Sequence, residues 1–218
     1  MTARARVGVL ISGRGSNLQS LIDACAAGDF PAEIVYVVSN VPDVEGLRRA
    51  ERARIPSRTI AHGGFASREC FDEAVAGALR EFDVAVVCLA GFMRVLSAGF
   101  VETWRGRLIN IHPSLLPAFK GVNVHRRVLE SGVRISGCTA HFVVHELDSG
   151  PIIAQAAVPV LPQDNEEVLA ERVLSAEHKL YPLALRLLSE DRVRLEGDRA
   201  IFDIPTDGES SLFSPPLR

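Results

Sequence analysis

The 218-residue sequence contains no apolar segment approaching the ~20 residues that a membrane-spanning helix needs. Two arginines precede its first apolar run, but that run stops at Ser12-Gly13, too early for the core of a secretory signal. Cysteine is scarce and scattered. Cys25, Cys70, Cys88 and Cys138 form no C-x-x-C pair and no tight cluster, and Cys25 and Cys88 stand in apolar periodic stretches where a reduced thiol serves as a small core residue. Runs of lysine and arginine are missing too. With 24 basic against 27 acidic residues, a net charge of −3 and a pI ≈ 6.1, the chain does not have the balance of an electrostatically driven nucleic-acid binder. A local anion site stays open. These absences lead us to expect a soluble cytoplasmic protein with reduced thiols, and neither a nucleic acid nor a membrane as partner.

What is present is ordinary globular material. Hydrophobic residues make up 47% and charged residues 23%, enough to build a core and too apolar for disorder of the whole chain. The length suits one large domain or two small ones, and no repeat or linker interrupts residues 1–200, so residues 1–204 are expected to form a single domain. Residues 205–218, rich in Ser, Gly and Pro, are expected to be a flexible tail.

Short apolar runs alternate with helical periods in the first half. Val7 to Ile11 reads as a buried strand, followed by the turn Ser12-Gly13-Arg14-Gly15. Leu18, Leu21, Ile22, Cys25 and Ala26 then mark an amphipathic helix that Gly28 is placed to end. Ile34 to Val38 and Val84 to Leu89 are further strands. Between them lie a charged helix, Glu45 to Arg54, and a helix capped by Ser67. Strands apolar on both faces and separated by helices predict a Rossmann-like, doubly wound α/β fold with a mostly parallel sheet. Ser136 to His145 and Ile152 to Val160 look like an antiparallel hairpin at its edge, and Glu166 to Ser189 like a long helix with Pro182 as a kink or break.

Three places could carry chemistry. The turn Gly13-Arg14-Gly15-Ser16-Asn17 enters a helix, whose first N–H groups are unpaired and carry partial positive charge, so it can hold a phosphate. Glycine can equally be there for steric reasons. No lysine follows as a Walker A loop requires, and Leu18 stands where a dinucleotide fingerprint needs its third glycine, which leaves a site of monophosphate size. In the strand entering Asn110-Ile111-His112-Pro113, Asn110 and His112 project from one face and could both donate to a developing oxyanion; a strand-end histidine that simply satisfies its neighbours is the plainer alternative. Asp148 lies in the turn Glu146-Leu147-Asp148-Ser149-Gly150. It either bonds only its own backbone or folds back on His112 and favours the imidazolium, with His141 joining the cluster. No HExxH or close-set ligand pair supports a metal there.

Taken in order, these segments resemble the phosphoribosylglycinamide formyltransferases, folate-dependent enzymes of purine synthesis. The resemblance runs from about Arg6 to Leu195. It rests on Val9 to Gly13 with Gly15 to Leu18, Leu89 to Arg94, Asn110 to Pro117, Gly137 to Val143, and Glu146 to Pro151. It implies the formyltransferase fold, 10-formyltetrahydrofolate as co-substrate, glycinamide ribonucleotide as acceptor, and no metal. It assigns catalysis to Asn110, His112 and Asp148, and ribonucleotide binding to Gly15, Ser16, Asn17 and Glu177. Folate contacts fall to Arg68, Met93, Arg94, Val95, Leu96, Asn110 and His141. The sequence departs from the family at Asn123, where a histidine is common.

Other readings differ in what they require. A methionyl-tRNA formyltransferase would need a further RNA-binding domain, and a formyltetrahydrofolate deformylase a regulatory domain ahead of the first strand; neither is expected here. A non-catalytic nucleotide-binding module would bind without turnover. A monomer or a homodimer is expected.

Overall fold

A computed structural model describes residues 3–203; the tail expected over 205–218 lies outside the described residues. Elements alternate from the start: β1 (Ala5–Ile11), α1 (Ser16–Cys25), β2 (Ala32–Ser39), α2 (Glu45–Arg52), β3 (Ser57–Thr59), α3 (Arg68–Arg80), β4 (Val86–Leu89), α4 (Ala98–Thr103) and β5 (Leu108–His112). There follow α5 (Val124–Ser131), β6 (Ile135–Phe142), β7 (Ile152–Pro159), the long α6 (Glu166–Ser189) and a hairpin of β8 (Val193–Glu196) with β9 (Arg199–Phe202).

Seven strands make one sheet in the order β3-β2-β1-β4-β5-β6-β7. The first five are parallel, and β6 and β7 continue the sheet antiparallel, as the sequence pattern predicts. The sheet is coated on both faces because its central strands are apolar on both. In β1, Val7, Val9 and Ile11 join a core with α1 and α6, while Leu10 joins a second core with α3 and α4. Among the described residues no helix is long and apolar enough to cross a membrane.

The winding positions the site. The chain leaves β1 toward β2 and β3, then returns to place β4 on the other side of β1. Loops after β1 and β4 therefore part in opposite directions and leave a crevice at the carboxyl ends of the strands. With ~4.8 Å between neighbouring strands, the ends of β1 and β5 stand about 10 Å apart across it.

Two sequence-based expectations are corrected. Gly28 does not terminate α1, which ends at Cys25 with Ala26 as a right-handed cap. Pro182 does not break α6, which runs unbroken through it. Proline forfeits one hydrogen bond to the preceding turn. Buried Leu180, Tyr181, Ala184 and Leu185 hold the helix on the sheet from either side of that gap. The short elements β3, α4, α5, β8 and β9 were not expected.

Tyr181 locks α6 to the middle of the sheet. It is fully buried, and its hydroxyl lies 2.9 Å from the carbonyl of Leu89 and 3.1 Å from that of Ile109, on adjacent strands. Tyr181→Phe removes the one buried donor that these two carbonyls share. We expect a loss of about 1–2 kcal/mol, seen as a lower urea midpoint at unchanged slope; an unaltered midpoint would show that the hydroxyl contributes nothing.

Candidate active site

The turn after β1 is shaped by Gly15, which sits in the left-handed region at φ 68° and ψ 32°, so that α1 starts at Ser16 without a side-chain cap. No acidic residue occupies the first turn of α1, and its leading N–H groups face the crevice as an anion cradle. Asn17 is buried there. Its amide donates to a Glu177 carboxylate oxygen at 2.7 Å, and its own Oδ1 is buried with no partner. Burial pushes the Glu177 carboxyl above the usual carboxylate range, an effect only partly offset by the Asn17 hydrogen bond. Two buried acceptors beside an anion cradle suit a ligand that brings hydroxyl or amine donors next to a phosphate.

Asn110, His112, His141 and Asp148 come together at the end of β5. Antiparallel pairing sets Asn110 opposite His141 and His112 opposite Thr139. The Asn110 amide nitrogen lies 3.2 Å from His141 Nε2, and His141 Nδ1 lies 2.8 Å from the Phe142 carbonyl. An amide nitrogen only donates and a carbonyl only accepts, so His141 carries its proton on Nδ1 and accepts at Nε2. Burial pushes its pKa down, consistent with that neutral tautomer. One N–H of Asn110 is thereby fixed and the other remains for a ligand. His141, expected among the folate contacts, is 2% exposed and stands behind Asn110.

His112 has acceptors on both sides. Its Nε2 is 3.0 Å from the Phe119 carbonyl, and its Nδ1 is 3.5 Å from Asp148 Oδ2. A proton on Nε2 serves the Phe119 carbonyl, and the imidazolium form would in addition set its charge against the Asp148 carboxylate. Asp148 reaches this position from a left-handed turn at φ 49°, accepts the Gly121 N–H at 2.8 Å, and lies 3.9 Å from His141 Nε2. Gly150 lets the turn close: a Cβ there would sit 1.7 Å from the Phe142 carbonyl oxygen. The segment after His112 is anchored by Thr139, whose hydroxyl donates to the Ser114 carbonyl at 2.7 Å and accepts the Leu116 N–H at 3.0 Å.

The stretch after β4 forms the other wall. Gly91 turns the chain at φ 71°, Met93 is 70% exposed, Val95 is exposed, and Leu96 is buried. Ser12 accepts the Met93 N–H at 2.7 Å and donates to Asn40 at 2.6 Å, while buried Asp72 accepts the Ser97 N–H at 2.6 Å. Arg94 lies over the Phe71 ring, 5.9 Å from its centre. Arg68 is exposed at the start of α3, one turn before Asp72. Sequence reasoning missed Ser12 and Asp72 as supports of this wall. A serine ending a strand and an aspartate in a charged helix carry no pattern that would have singled them out. Among the described residues, no group of three or more His, Cys, Asp or Glu is arranged to hold a metal ion.

Comparison with known proteins gives the family. A family model described as formyl transferase matches residues 5–185. The phosphoribosylglycinamide formyltransferase of Escherichia coli (strain K12) is 44% identical over 195 residues, covering 89% of this chain and 92% of that protein. The trifunctional purine biosynthetic protein adenosine-3 of Gallus gallus is 55% identical over 194 residues; the match covers 89% of this chain but only 19% of that longer protein. The crystal structure of glycinamide ribonucleotide transformylase 1 from Symbiobacterium toebii superposes with a TM-score of 0.89 at 46% identity, covering 91% of this chain and 94% of that one.

Glu177 offers a test of the cradle that needs no ligand. Because burial raises its carboxyl pKa, the folded chain binds that proton more tightly than the unfolded chain does, and stability falls as pH rises from the ordinary carboxylate value through the raised one. Glu177→Gln keeps an acceptor for Asn17 and removes the charge. The variant is expected to melt above the parent at about pH 8, with the difference vanishing near pH ~4. A difference independent of pH in thermal melts would contradict this account.

Proposed function

Because the chain belongs to the formyl transferase family, we propose that it carries the formyl group of 10-formyltetrahydrofolate to the amine of 5-phosphoribosylglycinamide. The products are formylglycinamide ribonucleotide and tetrahydrofolate, in purine biosynthesis. The observation that supports this best is the meeting of an amide, an imidazole and a carboxylate at the end of β5, across the crevice from an anion cradle. In this reading residues 1–204 act as one catalytic unit in the cytoplasm, as a monomer or homodimer. The reaction uses no metal, nucleic acid or membrane.

The ribonucleotide phosphate rests on the N–H groups of Gly15, Ser16 and Asn17, with Asn17 and Glu177 taking donors of the sugar and glycinamide. The folate lies along Met93, Arg94, Val95 and Leu96. Arg68 faces its carboxylate end, where a guanidinium suits an anion. The glycinamide amine attacks the formyl carbon: a C–N bond forms and the carbonyl electrons move onto oxygen. Asn110 offers that oxygen its second N–H. His112 offers the Nε2–H that Phe119 otherwise holds, so the formyl oxygen replaces a backbone carbonyl as acceptor. Donors of this kind are each worth about 10²–10³ in rate. As the intermediate collapses, the amine proton passes by way of Asp148, directly or through a water, to the departing folate nitrogen, and the old C–N bond breaks. No side chain is acylated.

Spectrophotometric measurement of tetrahydrofolate release from 10-formyltetrahydrofolate tests the reaction. Release is expected only when the ribonucleotide is added. Equal release without it would make the protein a hydrolase, and no release under either condition would make it a binding module. Asp148→Asn is expected to lower kcat by about 10²-fold or more while far-UV circular dichroism stays that of the parent. Turnover near the parental rate would remove Asp148 from the mechanism.

A further inference from the structure

Helix α2 has little reason to lie where it does on grounds of core packing. Of its eight residues only Gly46 and Ala50 are buried, and the rest are charged or partly exposed. Its cap residue, Val44, offers no side-chain acceptor. Instead the Gly46 N–H donates to the carbonyl of Gly13 at 3.1 Å, so this helix start is satisfied by the anion-cradle turn. One turn on, Arg49 Nε donates to the carbonyl of Arg14 at 2.9 Å, and its Nη1 lies 3.2 Å from Gln19 Oε1 on α1.

Two consecutive carbonyls of the turn therefore point at α2. With Gly15 left-handed and Ser16 right-handed, the N–H groups that follow converge away from it. The fit is backbone against backbone. A Cβ on Gly46 would lie 2.4 Å from Ile11 Cδ1 and 3.0 Å from the Gly13 oxygen, and a Cβ on Gly15 would lie 2.7 Å from the Gly46 Cα. The Gly46 Cα cannot swing aside from Gly15 as a side-chain tip can, and a methyl group at position 46 would press on the fully buried Ile11 side chain and on the Gly13 carbonyl that anchors the turn. Arg49 also lines a cleft of ≈ 490 Å³ with Ser16 and Lys179, where the two cations face the single carboxylate of Asp23.

We propose that Gly46 and Arg49 are positioning residues for the ribonucleotide phosphate: α2 fixes the turn from behind, and so sets the preference for a phosphorylated over an unphosphorylated acceptor without touching the reacting atoms. This rests on the reading that Gly15, Ser16 and Asn17 hold that phosphate. The test compares Gly46→Ala and Arg49→Met with the parent on glycinamide ribonucleotide and on glycinamide riboside, which lacks the phosphate, with inorganic phosphate as competitor. We expect KM for the ribonucleotide and Ki for inorganic phosphate to rise about tenfold, while kcat, KM for the formyl folate and kcat/KM for the riboside stay within about twofold. Parallel losses on ribonucleotide and riboside, or an unchanged preference for the phosphorylated acceptor, would overturn the inference. Should Gly46→Ala fail to fold, Arg49→Met, which introduces no clash, carries the test alone. A parent enzyme indifferent to the phosphate would refute the cradle reading itself before either variant is made.

Discussion

An imidazole and a carboxylate, each with less than a tenth of its side chain exposed, face one another at 3.5 Å where the central sheet ends, and the loops around them are built to make that contact tolerable. A buried carboxylate with too few donors is costly to fold around. Asp148 receives the Gly121 N–H, and beside that contact Lys120 donates to Ser149 at 2.6 Å, so two neighbouring pairs tie the 120–121 and 148–149 turns together. Both turns depend on backbone that few residues adopt. Phe119, Gly121, Asn123 and Asp148 all have positive φ, and Gly150 returns so close to Phe142 that no side chain fits. The strain and the glycine belong to the same arrangement: the chain must approach β6 tightly enough to put a carboxylate beside His112.

The two walls of the crevice are also joined. Ser12 follows β1 at the start of the anion-cradle turn, and its hydroxyl accepts the N–H of Met93 from the stretch after β4. Two loops that part at the switch point thus share one hydrogen bond, and the hydroxyl passes on to Asn40 at the end of β2. A single neutral hydrogen bond is worth only about 1 kcal/mol. Its importance is geometric, because an amine held on one wall must meet a formyl carbon held on the other within a few tenths of an ångström.

Much of the fold was legible because the information is local and periodic. Val7 to Ile11 declares a strand buried on both faces, and the 3.6-residue spacing around Leu18 and Leu21 declares α1 whatever they pack against. The failures have local reasons as well. Pro182 looks like a break because the packing of Tyr181 and Leu185 on the sheet is invisible in the string, and Gly28 looks like a cap although α1 ends three residues earlier. The short, polar α5 and the hairpin β8–β9 lack a period long enough to notice. For the site, Asn110 and His112 were legible as residues sharing a strand face. Glu177, by contrast, reads as a solvated helix residue and was reached only through the family resemblance. Gly46 could not be read at all. What demands glycine there is Gly13 and Ile11, more than thirty positions earlier in the chain, and no pattern within α2 records it.

The cradle is polar where a core would be apolar, which connects stability to binding. Asn17 keeps a buried oxygen without a donor, and Glu177 sits where burial favours its neutral form. A buried acceptor left without a donor costs about 1–3 kcal/mol. A core built for stability alone would fill these positions with apolar side chains, as α6 does one turn away at Leu180 and Tyr181. Donors on an incoming ligand would meet both acceptors at once, and the anion beside them would take up the N–H groups that open α1. Binding would then recover free energy the fold has forgone, and it would do so selectively. A ligand lacking either the donors or the anion leaves part of the cradle unmet, so the same groups that weaken the free protein also supply its discrimination.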